Sequence, residues 1–228
     1  MFTTKTIRAR SIAVLSALLV LIFLGNFGRL APAGRAAAAP IAVSPLSAQD
    51  EGLQMIATPA FNGNFKYGEW LPVWVDLENQ GGDVAGNIRI LVSGPQGSLV
   101  FEAPVSLPTG SRKRIPIYVL PNNFSRQLEV RFISEDKALA TQTVSVRPQP
   151  NISYIIGLLT PERGALALLN GMRFPGQERP MVLADLTLSE LPERAEGLRS
   201  FDLLVINDVD TSKLSPEQAA ALASWVQQ

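Results

Sequence analysis

From Leu53 to Arg147 apolar and polar residues alternate with period two, and turn formers break the alternation about every ten residues. The candidate strands are Leu53–Phe61, Trp70–Glu78, Gly86–Ser93, Leu99–Leu107, Arg112–Leu120, Gln127–Ser134 and Ala138–Arg147. Between them fall Asn62-Gly63, Gln80-Gly81-Gly82, Gly94-Pro95, Pro108-Thr109-Gly110, Pro121-Asn122-Asn123 and Glu135-Asp136. Short strands at this spacing, with no helical pattern between them, predict an all-β immunoglobulin-like sandwich over residues 52–148. The alternation is clearest where Val73, Val75 and Leu77 point inward and Trp74, Asp76 and Glu78 outward. In that register Trp70 and Trp74 share the outward face, about 13 Å apart at strand rise. An outward aromatic pair is a candidate surface for a sugar or a protein partner. The competing expectation is that a loop or the next domain covers both rings.

The periodicity changes after Arg147-Pro148-Gln149-Pro150, where a stiff linker is expected at 149–151. Ile152 to Leu159 is nearly all apolar, as a strand buried on both faces requires. Thr160-Pro161-Glu162 reads as a helix start, Ala165 to Leu169 as a short helix, and Asn170-Gly171 as its end. Met181–Leu186 is the next strand, Leu191–Leu198 a weakly patterned helix, and Asp202–Asn207 a third strand. The final helix is the best local signal, with Ser215 at N-cap, Pro216 at the first helical position and Gln218 completing a capping box. Ala219, Leu222, Ala223 and Val226 make an apolar stripe expected to face the core, flanked by Trp225. This β-α-β-α-β-α order over 152–228 predicts part of a flavodoxin-like α/β domain with a parallel sheet. Ligands bind such sheets at the carboxyl edge of the strands, which makes Thr160, Arg163, Asn207 and Asp208 the candidate ligand-binding residues.

Composition narrows the chemistry. The chain has 20 basic and 20 acidic residues and neither Cys nor His. Lys5, Arg8, Arg10, Arg29 and Arg35 all precede the first acid, Asp50, so the remainder is acidic, with 15 basic against 20 acidic residues. An acidic chain without a basic run argues against nucleic-acid binding. Without Cys or His there is no disulfide, no thiolate or imidazole metal site and no His-dependent triad. Asp208, Asp210 and Ser212 have the spacing of a calcium-loop start, but Lys213 and Ala219 stand where that loop needs Gly and Glu, so no metal is expected. No cofactor is expected either. Lys5, Arg8 and Arg10 precede an apolar run from Ile12 to Leu24, too short for the roughly 20 residues of a membrane-spanning helix. With Ala36 to Ala39 following, residues 1–38 read as a signal peptide, or alternatively as an uncleaved N-terminal anchor, and 39–51 as a linker. Either way the remainder is extracytoplasmic.

Two resemblances add to this. The run Gly68-Glu69-Trp70-Leu71-Pro72-Val73-Trp74-Val75-Asp76-Leu77-Glu78-Asn79 resembles the opening of sandwich domains in large bacterial envelope proteins. No chemistry attaches to that motif. Phe201-Asp202-Leu203-Leu204-Val205-Ile206-Asn207-Asp208, with Leu214 to Gln218 and Leu222 to Val226, resembles the class I glutamine amidotransferase-like fold. The resemblance implies that the catalytic Cys, His and Glu of active members lie beyond Gln228, so the domain is expected to be incomplete and the chain not an enzyme. The expected role is therefore a non-catalytic interaction or scaffold module at the bacterial cell envelope, whose partner is an envelope protein or a glycan. Membrane association would come through the N-terminus or a C-terminal continuation. The rivals are a fragment of an envelope hydrolase and a glycan-binding module using Trp70 and Trp74.

Overall fold

A computed structural model of the chain describes residues 52–228, apart from 95–96, 163, 165, 170, 174 and 177–180. The expected leader and the linker at 39–51 lie outside the described residues. Each expected strand of the first half is present: β1 (Leu53–Pro59), β3 (Leu71–Asn79), β4 (Val84–Gly94), β5 (Gly97–Leu107), β6 (Arg112–Val119), β7 (Gln127–Ser134) and β8 (Lys137–Ser145). They form two antiparallel sheets, ordered β1-β3-β6 and β5-β4-β7-β8. The inner faces meet in one apolar layer that includes Val73, Val75, Ile88, Ile90, Val130 and Phe132. Two polar side chains fix the edges. Gln142 of β8 accepts from the Ala57 N–H at 2.7 Å and donates to the Ala57 carbonyl at 3.3 Å, so one amide bridges the sheets as a strand would. Buried Asn79 donates to the Gly82 and Leu107 carbonyls at 2.7 and 2.9 Å, which anchors the Gly-rich turn its side chain starts.

The second half follows expectation in its strands and departs from it in its helices. A central β10 (Tyr154–Leu159) pairs in parallel with β11 (Met181–Leu186) on one side and β12 (Leu203–Ile206) on the other. Of the helix expected over Ala165–Leu169 the described residues form a 3₁₀ turn at Ala167–Leu169, and that over Leu191–Leu198 is replaced by two such turns, Leu188–Glu190 and Ala195–Leu198. Neither segment carries enough apolar spacing to hold a longer helix against a sheet face. The last helix, α1 (Pro216–Val226), has the expected cap: Ser215 Oγ accepts from the Gln218 N–H at 3.1 Å, and Gln218 Oε1 accepts from the Ser215 N–H at 3.0 Å. Its buried face, however, is not the expected stripe. Gln218 and Ala221 are buried and Leu222 and Trp225 partly so, while Ala219, Ala223 and Val226 are exposed. The rotation follows from Gln218, whose Nε2 donates to the Leu188 and Leu191 carbonyls, each at 2.9 Å, and pins that face inward. Among the described residues no helix is long and apolar enough to cross a membrane.

The first residue of the expected linker, Gln149, ends a strand. β9 (Arg147–Gln149) pairs in parallel with β2 (Asn64–Lys66), and the Tyr67 N–H donates to the Gln149 carbonyl at 2.9 Å. Between β1 and β2 the backbone turns through Phe61 (φ 59°), Asn62 (φ 54°) and Gly63 (φ 76°). A left-handed Phe costs about 1–2 kcal/mol. Here the turn drives its ring, 1% exposed, against Phe201 in an edge-to-face contact at 4.6 Å between centroids. Phe61 and Phe65 thus share one buried cluster with Ile155, Leu159, Leu198 and Phe201. Beside them Lys66 Nζ lies 2.6 Å from Asp202 Oδ1, and Asp202 Oδ2 accepts from the Ile155 N–H at 2.8 Å. The Lys66 N–H donates to Ser200 Oγ at 3.1 Å.

A core common to both halves predicts one unfolding transition. Phe201→Ala should destabilise by about 3–5 kcal/mol, as other buried Phe truncations do, and lower that single transition whole. Calorimetry checks it: two resolved transitions, of which the substitution moves only one, would mean that the halves unfold independently.

Candidate functional site

The parallel sheet orders the first candidate. Residues that follow parallel strands emerge together at one edge, and here they border a cavity of about 340 Å³. Thr160 follows β10, Thr187 and Leu188 follow β11, and Asp208, Asp210 and Lys213 lie in the loop after β12. Thr160 and Asp208, both expected at this edge, are therefore brought together. Asn207 does not line the cavity; its N–H donates to the Leu159 carbonyl at 3.1 Å and extends the ladder by one bond. Arg163 lies outside the described residues. Thr187 and Lys213 were legible by the same rule, as the first residue past a strand and a cation on the same loop.

Most polar groups around this cavity are already engaged. The Thr160 hydroxyl accepts from the Glu162 N–H at 3.2 Å, which caps the turn where a helix was expected. The Thr187 hydroxyl and N–H both donate to Glu190 Oε2, at 2.9 and 3.1 Å. Asp210 Oδ1 accepts from the Ser212 hydroxyl at 2.6 Å and from its N–H at 3.2 Å, and Lys213 Nζ lies 3.7 Å from Asp210 Oδ2. Those two hydrogen bonds, then the nearby ammonium, hold the Asp210 carboxyl below its ordinary value. Asp208 is exposed and takes a left-handed backbone (φ 54°), a conformation that Asp tolerates better than most residues. Leu159, Leu186, Leu188 and Val209 supply an apolar floor. Among the described residues no group of three or more His, Cys, Asp or Glu could hold a metal ion.

The expected outward pair of tryptophans is not formed. Trp74 is 4% exposed, and Leu71 to Val75 is buried on both faces; alternation resumes only at Asp76. The Arg114 guanidinium lies 5.0 Å over the Trp74 ring, and Trp74 is part of the main apolar cluster. The alternation signal fails because a central strand covered on both sides does not have to alternate. Trp70 precedes β3, is half-buried, and meets Phe101 edge-on at 6.1 Å. With Tyr118, Glu193, Arg194, Glu196 and Ser224 it lines a second cavity, about 550 Å³, beside α1. Tyr118 Oη accepts from the Glu193 N–H at 3.1 Å, and the Arg194 guanidinium lies 5.3 Å from the Tyr118 ring. Tyr118 and Arg194 carried no signal in the sequence, because only the fold brings β6 to this turn.

Comparison with known proteins adds the following. A family model described as a domain of unknown function, DUF8726, matches residues 52–147. No curated protein matches. Solved structures similar to the chain include the Pseudomonas fluorescens alkylpurine DNA glycosylase AlkC bound to DNA containing an abasic site analog, at 16% identity and a TM-score of 0.30. That match covers 42% of this chain and 30% of the glycosylase, so the chain spans less than a third of that protein's length. A CARDB domain from Pyrococcus furiosus in complex with di-metal ions is similar at 16% identity and a TM-score of 0.32, over 43% of this chain and 91% of that one. The sporulation control protein Spo0M from Bacillus subtilis is similar at 8% identity and a TM-score of 0.31, over 44% and 53% of the two chains.

Burial raises the pKa of Tyr118 above its ordinary 10.0, against smaller opposing effects from the Glu193 N–H and Arg194. The folded state therefore keeps this proton at a pH where the unfolded chain has lost it. Its contribution to stability is present in full below pH 10.0 and is lost as pH rises through the folded-state pKa. Tyr118→Phe should accordingly flatten the fall in stability at alkaline pH. The difference in ultraviolet titration between the native chain and this variant should have its midpoint above 10.0; a midpoint at or below that value counts against a buried phenol.

Proposed function

We propose that the chain is a non-catalytic, extracytoplasmic interaction or scaffold module of a bacterial cell envelope. In this reading an immunoglobulin-like sandwich precedes a class I glutamine amidotransferase-like segment. The observation that carries it is the state of the carboxyl-edge cavity. Acid–base or nucleophilic catalysis needs a base aimed at a reacting group. Here Thr160, Thr187 and Asp210 are each bound to their own neighbours, and Asp208 faces water without a described partner. The fold assignment is supported by the sheet order, second strand then first then third, with which flavodoxin-like sheets begin. Thr160 and Asp208 then flank the point where the strand order reverses. Export rests on the basic start, apolar run and alanine stretch of residues 1–38. The glycan-binding alternative through Trp70 and Trp74 loses half of its platform, since Trp74 is buried.

Two measurements test this reading. The purified chain should turn over ester, amide and phosphate-ester probes no faster than buffer; turnover abolished by Asp208→Asn would overturn the non-catalytic assignment. A fusion of the whole chain to a phosphatase that is active only outside the cytoplasm should be active in intact bacteria, and deleting residues 1–38 should silence it. Activity retained without those residues would remove the export argument.

A further inference from the structure

A groove of about 690 Å³ opens where β7 begins and β8 passes into β9. Ser125, Arg126 and Gln127 line one side, and Ser145, Arg147 and Gln149 the other. The sheet itself brings them together: Gln127 pairs with Ser145 in register, and the Val146 N–H donates to the Arg126 carbonyl at 2.9 Å. Val146 is buried while Ser145 and Arg147 on either side of it are exposed, as strand alternation requires. No carboxylate lines the groove. Among the described residues the ion pairs engage Lys66, Arg89, Arg112, Arg114, Arg131 and Lys213, and neither Arg126 nor Arg147 takes part in one. Beyond Asp50 the chain has more acids than bases, so two guanidiniums left without a counter-charge in one concavity run against its general charge.

The residue that precedes the groove-lining Ser125 is aromatic. Phe124, next to Ser125, is stacked on Tyr67 at 4.8 Å with 14° between the planes, yet remains 59% exposed. One ring face is therefore held and the other is left open. Tyr67 is itself fixed at both ends, its N–H donating to the Gln149 carbonyl at 2.9 Å and its hydroxyl to the Asn122 carbonyl at 2.9 Å. The platform is thus tied by backbone to the same strand, β9, that presents Arg147.

The geometry points to this groove as a binding site for an anionic saccharide, whose acidic groups the two guanidiniums take while a sugar face lies on Phe124. Guanidinium forks match carboxylate and phosphate oxygens, which both occur on sugars. An open, rigid aromatic face suits the apolar side of a sugar ring and has no role in binding a bare anion. The side chains of Gln127 and Ser145 stand in the same groove to meet hydroxyl groups. The inference rests on the reading of the chain as a binding module, and it gives that module a ligand class.

The test is affinity electrophoresis of the whole chain against four polymers: polygalacturonate, phosphorylated dextran, neutral dextran and polyglutamate. Retention by polygalacturonate, by phosphorylated dextran or by both is expected, and it shows which acidic group is read. That retention should weaken as NaCl rises from about 0.05 to about 0.5 M. Arg126→Ala and Arg147→Ala should each weaken it about tenfold or more, the scale of one charge-assisted contact. Phe124→Ala should weaken binding of the sugar polymers and leave any residual binding of polyglutamate unchanged. All three side chains are exposed, so melting temperatures should hold, and circular dichroism confirms folding. Equal retention by neutral dextran, equal retention by polyglutamate, or full retention by the Arg126→Ala/Arg147→Ala variant overturns the proposal. If polygalacturonate is cleaved, the non-catalytic reading fails. If both charged sugars are neither retained nor cleaved, the groove proposal alone fails.

Discussion

The contact between Phe61 and Phe201 constrains the structure on both of its sides. To make it, the chain leaves β1 through consecutive left-handed residues, one of them a phenylalanine. Such a backbone persists only where its surroundings over-determine it. Here burial of the Phe61 ring is worth about 1.5–3 kcal/mol, and the edge-to-face pair about 0.5–1.5 kcal/mol more, enough to offset the strained turn. Asn64 Nδ2 donates to the Phe61 carbonyl at 3.0 Å and holds the turn from the far side. A β-carbon on Gly63 would come within 2.9 Å of the Ser145 carbonyl oxygen, so the turn also sits flush against the end of β8. The strain is therefore local and its compensation non-local, which ties the order of β1 and β2 to the presence of the parallel sheet.

That dependence explains why the proline-bearing stretch after Val146 is a strand and not a spacer. Once Phe61 is seated, β2 must run beside Arg147–Gln149, and a short parallel pairing satisfies backbone groups that a linker would leave to water. Proline at position 148 is tolerated because this two-stranded ribbon is all edge. The Lys66–Asp202 pair then closes the junction. Its side chains are 12% and 28% exposed, so it is neither a fully solvated surface pair nor a dry one. Asp202 answers its partial desolvation with a second bond, from the Ile155 N–H, which carries the constraint directly into the central strand.

Strand positions were legible in the sequence because each is set by local alternation and by local turn chemistry. Met181–Leu186 and Gln127–Ser134 could be read to the residue. Less legible were features that depend on what lies opposite. The phase of α1 is set by Gln218 reaching the Leu188 and Leu191 carbonyls, and a stripe drawn from apolar residues alone cannot include a buried amide. Trp74 looked outward for a related reason: alternation shows which face a residue is on, but not whether that face is covered. Of the carboxyl-edge residues, Thr160 and Asp208 line the cavity that topology places there, while the Asn207 backbone extends the ladder and its side chain does not line that cavity.

The three cavities described above differ in how their polar groups are satisfied. At the carboxyl edge, hydroxyls and one carboxylate are engaged within their own turns. Beside α1, Tyr118 takes the Glu193 N–H and Arg194 lies over the same ring, so phenol, amide and guanidinium are bound to each other. A ligand that engages those groups has to replace bonds already made, and it gains only the difference. The groove at Arg126 and Arg147 is unlike both. Its backbone groups are spent on the ladder, but its guanidiniums are not, and its aromatic neighbour is held by one face only. Charge left unpaired within the fold can meet an anionic ligand without first breaking an ion pair. By that reasoning the proposed recognition chemistry sits on the sandwich, and the parallel sheet supplies Phe201, against which the Phe61 turn packs.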